Sequence, residues 1–179
     1  MRKQSGFTFI ELVIVVIILS ILAITALPRF LNLTDQAENA AIEGIAGGFA
    51  SAVTLVRAEW EVSGRPNNQA GQTTIQYDGI QIGVDGTTGY PTGSPVVPST
   101  TAGNMTADSC LFLIENLFQN SVKASTVFAV QNTLYVRLAN NQCYYHQTSG
   151  LTTAPADTSS SNGFSYHPVT GRVATFLLK

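Results

Sequence analysis

The sequence predicts an α+β protein in which a long N-terminal α-helix packs on an antiparallel sheet of about four strands. In the first third of the chain, apolar residues form a nearly continuous run over residues 7–27 and then a stripe of helical period up to Trp60. The remainder is divided into short segments by glycine, proline and asparagine, which is typical of strands and turns. The 179 residues are enough for one domain with one hydrophobic core.

The composition is typical of an exported protein. Only 11% of the residues are charged, although 45% are hydrophobic. This charged share is less than half of the usual one, and hydroxyl and amide side chains supply much of the polar surface instead. The net charge of −2 provides no basic surface for nucleic acid. We therefore expect an exported domain without a nucleic-acid partner.

The apolar run at residues 7–27 is long enough to cross a membrane. Its 21 residues extend over about 31 Å as a helix, close to the thickness of a bilayer core. Arg2 and Lys3 precede the run, and positive charges favour the cytoplasmic side of a membrane. We therefore expect a transmembrane helix whose basic end lies in the cytoplasm.

Two features distinguish this run from a cleaved secretory signal and from a plain anchor. A secretory signal has its small-residue cleavage site after the apolar run, whereas Ser5 and Gly6 stand before it. Glu11 lies inside the run, where a carboxylate costs about 2.5 kcal/mol or more. Because a buried charge is tolerated when it is paired, we expect Glu11 to have a partner.

The letters G-F-T-F-I-E, between a short basic leader and an aliphatic run, resemble the signature of type IV pilins and type II secretion pseudopilins. In that family an aspartyl prepilin peptidase of the inner membrane cuts after the glycine and N-methylates the new terminal residue. The resemblance implies cleavage between Gly6 and Phe7, with N-methylphenylalanine at Phe7. It also implies that Glu11 meets the terminal amine of a neighbouring subunit during assembly, and that Pro28 belongs to the assembly helix. The alternative for Glu11 is a glutamate that lipid merely tolerates.

The resemblance also implies a division of the chain and a set of partners. The segments are a leader at 1–6, a hydrophobic transmembrane and assembly helix at 7–28, the amphipathic half of the same helix at 29–63, and a head at 64–179 with an αβ-type loop at 64–105 and the antiparallel sheet at 126–179. The implied partners are prepilin peptidase, the membrane, an inner-membrane assembly machinery driven by an ATPase, and further copies of this chain in a helical homopolymer. The resemblance is strongest over residues 1–60.

The second half of the helix is predicted to be amphipathic. Pro28 favours a kink or local melting, because proline removes one helical hydrogen bond. The apolar residues beyond it recur at steps of three or four: Ile42, Ile45, Phe49, Val53, Val56 and Trp60. This stripe predicts a helix that lies on a core and ends near Gly64. Gly44 and Gly48 have the spacing of a close helix contact, made either with the chain's own sheet or with a neighbour.

The head is predicted to contain a hairpin, an ordered loop, a short helix and further strands. Asp78-Gly79 favours a tight hairpin turn, and residues 83–98 are expected to form the loop. Asp108 is expected to cap the short helix. The remaining strands are predicted at Thr126–Val130, Leu134–Ala139, Gln142–Gln147, Phe164–His167 and Arg172–Leu178. Left-handed turn residues are expected at Gln131-Asn132 and Asn140-Asn141.

The two cysteines are predicted to form a disulfide. In an exported chain, a bond between Cys110 and Cys143 is favoured over two buried free thiols. It would join the short helix to the sheet.

The sequence contains no recognisable catalytic or metal-binding pattern. His146 and His167 are far apart in sequence, and histidines beside aromatic residues in strands are more often packed or at the surface than catalytic. Asp85 precedes a glycine but lacks the ligand series of a calcium loop. We therefore expect no enzyme activity, no metal and no cofactor.

We interpret the chain as the major subunit of a type IVa pilus that serves attachment and biofilm formation. The head is similar to the mannose-sensitive haemagglutinin (MSHA) class of pilins in the letters RFLNL after Pro28, in the GYPTG loop, and in Cys110 followed by LFLIENLF. The alternatives are a type II secretion pseudopilin, a minor pilin and, from another class, an anchored periplasmic enzyme.

Overall fold

A computed structural model describes residues 6–68, 71–97, 99–120 and 122–178, and for residues 28–32 the backbone alone. The first element, helix α1, extends over Phe9–Val62, which confirms the long helix expected from the sequence. It continues through residue 28, where proline favours a kink or local melting. The side chain of Pro28 lies outside the described features. The chain divides into two compact units at the boundary between Asn39 and Ala40.

The first unit contains the apolar run. Residues Phe9–Leu27 have a mean hydropathy of 3.0, and none of this segment is buried within the chain. By length and composition it is able to cross a membrane. A second stretch, Leu33–Val62, has a mean hydropathy of 1.3 and is one-third buried (33%). This second stretch includes the core helix of the second unit.

In the second unit, α1 supplies one side of the hydrophobic core. The buried side chains of this face are Ile42, Ala46, Phe49, Ala52, Val53, Val56 and Trp60. The predicted stripe is confirmed except at Ile45, which is half-buried. Phe49 is fully buried, and its ring centroid lies 5.4–5.6 Å from those of Tyr145, Phe164 and Tyr166.

The end of α1 is fixed by a left-handed glycine. Gly64 has φ +85°, and the N–H groups of Gly64 and Arg65 donate to the carbonyls of Glu61 and Trp60 at 3.1 and 2.9 Å. This pair of bonds is the Schellman arrangement, which satisfies carbonyls at a helix C-terminus. The stop expected near Gly64 is therefore confirmed.

Two sheets and a short helix complete the second unit. The first sheet has the order β1 (Thr73–Tyr77), β2 (Ile80–Val84), β3 (Pro91–Gly93). The second has the order β4 (Ala124–Ser125), β5 (Leu134–Ala139), β6 (Gln142–Gln147), β7 (Gly163–His167), β8 (Arg172–Phe176). Strands β5 to β8 are antiparallel, as expected, and the short β4 adds a parallel edge. Helix α2 extends over Ala107–Asn116.

The hairpin turn expected at Asp78-Gly79 is confirmed. Asp78 and Gly79 have φ +47° and +83°, and they join β1 directly to β2. Two positive φ values in a two-residue loop match the right-handed twist of the strands. Asn140 and Asn141 form the same kind of turn between β5 and β6, with φ +49° and +57°.

Three local expectations are wrong. The region predicted as a loop contains the third strand, β3, which pairs with β2. Thr126–Val130 is not a strand, because the chain turns directly after β4: the hydroxyl of Ser125 accepts a hydrogen bond from the N–H of Val127 at 3.0 Å. In the following turn, neither Gln131 nor Asn132 is left-handed.

A fourth expectation, which concerns the start of α2, is also wrong. The N-cap is Thr106, not Asp108. The Thr106 hydroxyl accepts from the N–H of Ser109, and the Ser109 hydroxyl accepts from the N–H of Thr106, both at 3.2 Å. This reciprocal capping places Asp108 inside the first turn of the helix.

The glycines of α1 have different surroundings. A Cβ at Gly48 would lie 2.9 Å from the ring of Phe118, so this glycine permits close packing within the head. A Cβ at Gly44 or Gly47 would meet no atom within 4 Å. The close contact considered for the Gly44 and Gly48 pair is therefore made within the chain only at Gly48.

Candidate processing and assembly site

The predicted cleavage point lies just before the first turn of α1. Gly6 and Phe7 are exposed, with 78% of the Phe7 surface accessible, and the helix begins two residues later at Phe9. The basic leader residues Arg2 and Lys3 lie outside the described residues, as does Ser5. The bond between Gly6 and Phe7 is thus in a non-helical segment that a peptidase is able to reach.

Glu11 has a partner in its own chain, directly before the helix. Its carboxylate Oε2 accepts from the N–H of Thr8 at 2.8 Å and from the hydroxyl of Thr8 at 2.7 Å. The Thr8 hydroxyl in turn accepts from the N–H of Glu11 at 3.3 Å. This is a capping box, in which a threonine before the helix and a glutamate three residues later satisfy each other's backbone.

Sequence reasoning did not identify Thr8 as a functional residue. The signal was the T-x-x-E spacing at the start of a long apolar helix. The capping box gives the Glu11 carboxylate two hydrogen bonds before any neighbour is present, and it also lies at the positive end of the helix dipole. Cleavage at the predicted bond would create a new amine on Phe7. This residue is directly followed by Thr8, which bonds the Glu11 carboxylate.

The predicted disulfide is present in the head. Cys110 on α2 and Cys143 on β6 are joined with an S–S distance of 2.00 Å and a Cα–Cα distance of 5.6 Å. Both residues are completely buried. The hydroxyl of Tyr145 donates to the carbonyl of Cys110 at 2.8 Å, so a hydrogen bond also connects β6 to α2.

Asp85 has a structural role in the loop before β3. Its carboxylate accepts from the N–H groups of Thr87, Thr88 and Ala102 at 2.9–3.0 Å. Burial by itself raises the pKa of Asp85, but these N–H groups stabilise the anion and hold the pKa below its usual value. Among the described residues, no group of three or more histidine, cysteine or acidic side chains is arranged to hold a metal.

The two histidines are not brought together. In the strand register His146 pairs with Gly163, at one end of β7, whereas His167 forms the other end. His146 is fully buried: its Nε2 accepts from Nε of Arg137 at 2.9 Å, and its Nδ1 pairs with the hydroxyl of Ser161 at 2.8 Å. Both histidines lie far from the processing point in the sequence.

Comparison with known proteins identifies the N-terminal segment. Residues 1–27 match the family described as the prokaryotic N-terminal methylation motif. Over 57 residues the chain is 42% identical to the type IV narrow pilus major component PilA5 of Thermus thermophilus, covering 32% of this chain and 49% of the relative. No solved structure matches.

Two further relatives match longer parts of the chain. The chain is 31% identical to the type II secretion system core protein G of Pseudomonas aeruginosa over 94 residues, covering 52% of this chain and 56% of the relative. It is 38% identical to a fimbrial protein of Neisseria meningitidis over 81 residues, covering 44% and 48%. The chain thus spans about half the length of the curated relatives it matches.

Proposed function

We propose that this chain, which has the N-terminal methylation motif and the α+β fold of a type IV pilin, is a structural subunit of a type IV pilus. The motif, the apolar helix and the pilin relatives support a membrane-anchored precursor and an extracellular pilus. The observation that carries the proposal is the unburied run Phe9–Leu27. Its first turn contains the capped Glu11, and it begins two residues after Phe7 of the exposed Gly6–Phe7 bond.

The processing step would remove the leader at residues 1–6. Prepilin peptidase would hydrolyse the bond between Gly6 and Phe7, and the amine that is released would be methylated at Phe7. Methylation preserves the positive charge of the amine, so the terminus remains able to pair with a carboxylate.

The assembly step would exchange one partner of Glu11 for another. Within the precursor, Thr8 satisfies the carboxylate. In the fibre the amine of a neighbouring subunit would take its place, and in an apolar environment a carboxylate is attracted more strongly to a cationic amine than to a neutral hydrogen-bond donor. Pro28 would belong to the same assembly helix. Polymerisation removes Phe9–Leu27 from lipid without exposing it to water, because other copies cover it.

The biological role that we propose is attachment and biofilm formation by a fibre extended from the inner membrane. The partners would be further copies of the chain and the inner-membrane assembly machinery. The MSHA subclass stays a prediction; the letters RFLNL, GYPTG and LFLIENLF in this sequence support it. We propose no enzymatic role.

A type II secretion pseudopilin is the second candidate, which the similarity to core protein G of Pseudomonas aeruginosa favours. Antibody labelling of intact cells distinguishes the two, since a pilus subunit coats long surface fibres. A pseudopilin would instead leave the cells bare, and its deletion would block protein secretion. If the chain is a minor pilin, the antibody would label the fibres at only a few points, and the subunit would be scarce in sheared fibres.

Intact-mass analysis of sheared fibres tests the processing step. The expected protein begins at Phe7 and carries one added methyl group. Gly6→Val should leave the uncut precursor in the membrane, while Gly44→Val, at a glycine with open surroundings, should still be cut. Fibres that retain the leader would overturn the proposed processing.

A further inference from the structure

Hydrogen bonds between three side chains connect the outer face of the second sheet to the loop between β6 and β7. Nε of Arg137, on β5, donates to Nε2 of His146, on β6, at 2.9 Å. The other ring nitrogen of His146 lies 2.8 Å from the hydroxyl of Ser161, which is itself buried. Strand alternation predicts that His146 faces away from the core that contains Cys143 and Tyr145. Its burial therefore has another cause.

Aromatic side chains of the sheet contact the ring, and the loop at residues 148–162, which we call the covering loop, contributes Ser161 to it. Most of its outer residues, 152–154 and 156–160, are exposed, whereas Pro155 and Ser161 are buried. Its far end is held by Asn162, whose carbonyl accepts from the N–H of Gln147 at 2.8 Å and whose side-chain oxygen accepts from the N–H of Leu178 at 2.7 Å. Ser161, bonded to His146, is the adjacent residue.

The arrangement requires a neutral histidine. A guanidinium N–H is only a donor, so Nε2 must accept and the ring proton must lie on Nδ1, where it donates to Ser161. A second proton on the ring would occupy Nε2 and would face the Arg137 donor. The hydrogen bond would be lost, and the charge on the buried His146 would lie beside that of the half-buried Arg137.

We propose that Arg137, His146 and Ser161 form an acid-sensitive latch that holds the covering loop on the sheet and releases it when His146 becomes protonated. This inference goes beyond the pilus role and does not depend on it. The latch is local, because the Cys110–Cys143 bond and the core of α1 lie on the opposite face of β6. Release would uncover the aromatic side chains that surround the ring, Tyr144 and Phe176.

The charged and titratable groups that face His146 set the pH of release. Burial lowers the pKa of His146 to about 4, the guanidinium of Arg137 acts in the same direction, and the carboxylate of Asp157 on the covering loop opposes them. Tyr135 and Tyr144 also contact the ring. Because the folded state disfavours the proton, the latch is closed at neutral pH and opens as the pH falls toward 4.

Amide hydrogen exchange of the full chain in detergent tests the latch. The reporters are the N–H groups of Gln147 and Leu178, which donate to Asn162, and each rate is divided by that of an unstructured peptide at the same pH. Between pH 6.5 and 3.5 we expect their protection to fall on the order of tenfold or more. The N–H of Leu117, bonded to Leu113 within the disulfide-linked part of the head, should stay protected.

Two variants identify the titrating group. His146→Gln cannot gain a proton and still offers an acceptor to Arg137, so its protection should not depend on pH. His167→Gln, at the other histidine, should behave like the wild type. A wild-type loop that stays protected at pH 3.5, or a His146→Gln loop that opens in parallel with the wild type, would overturn the latch.

An NMR titration of the two histidine rings in the wild-type chain gives an independent measurement, which holds even if His146→Gln fails to fold. The His146 signal should change over the same pH range as the loss of protection. A His146 ring that titrates near pH 6.5, with the loop still closed below that pH, would also disprove the proposal.

Discussion

Helix α1 has two regions that differ in how they are covered. Over Phe9–Leu27 no part is buried within the chain, whereas beyond Ala40 one face contributes Phe49, Val53 and Val56 to a closed core. The backbone conformation is the same in both. In the function that we propose, side chains in the first region serve membrane insertion and assembly, whereas those in the second contribute to the stability of the head. Substitutions that separate these two effects test the comparison.

The largest loss of head stability is expected from Phe49→Ala. The ring lies against four aromatic side chains and has no exposed surface. Its removal should lower the free energy of unfolding by about 3–5 kcal/mol. Leu19→Ala, in the uncovered region, is the matched control and should leave it unchanged. Thermal unfolding of the detergent-solubilised chain measures both; equal losses would mean that the two regions do not differ as described.

Cys143→Ser should have the next largest effect. Loss of the bond to Cys110 should reduce the stability of the head by about 2–5 kcal/mol, the usual range for a native disulfide. Peptide mapping without reductant should find the two cysteines linked in the wild type. Complete alkylation of both thiols under those conditions would contradict the bond.

A smaller effect distinguishes the two proposed caps of α2. Thr106→Ala removes the hydroxyl that accepts from Ser109 and should cost about 1 kcal/mol. Asp108→Ala removes only a charge near the helix N-terminus and should cost about half as much or less. Chemical denaturation of the two variants side by side measures the difference. A larger loss of stability for Asp108→Ala would indicate that Asp108 caps the helix, as the sequence predicted.

No effect on head stability is expected from Glu11→Ala, although it should block fibre formation. The variant should insert into the membrane at least as well as the wild type, because the costly carboxylate is gone. Glu11→Asp, with a shorter side chain, should give an intermediate yield of fibre. The yield is measured by shearing and microscopy, with the membrane level of the subunit as the control.

Thr8→Val tests separately whether the capping box contributes to assembly. It removes the hydroxyl that bonds Oε2 of Glu11 but retains the backbone N–H. If Thr8 holds the carboxylate ready for a neighbour, fibre yield should fall less than in Glu11→Ala. Wild-type amounts of fibre from Glu11→Ala would mean that the carboxylate is not an assembly element.

The sequence was sufficient wherever the structure depends on neighbours along the chain. The length of α1 followed from its apolar period, its end from Gly64, and the hairpin from Asp78-Gly79. The pair Cys110–Cys143 followed from the export signal, since two cysteines in an exported chain allow one bond. The capping of Glu11 by Thr8 is likewise a local feature, which the T-x-x-E spacing indicates.

Contacts between distant segments decided the rest. Alternation along β6 correctly separates Cys143 and Tyr145 from Tyr144 and His146, but it cannot indicate that a loop returns to cover His146. Strand β3 forms because β2 offers it an edge, not because Pro91–Gly93 favours a strand. The sequence by itself thus determined the membrane helix, the processing motif and the disulfide, because each is a local pattern or a property of composition. Only the tertiary structure decided the burial of His146 and the pairing of β3, because both depend on free energy gained between residues that are far apart in the chain.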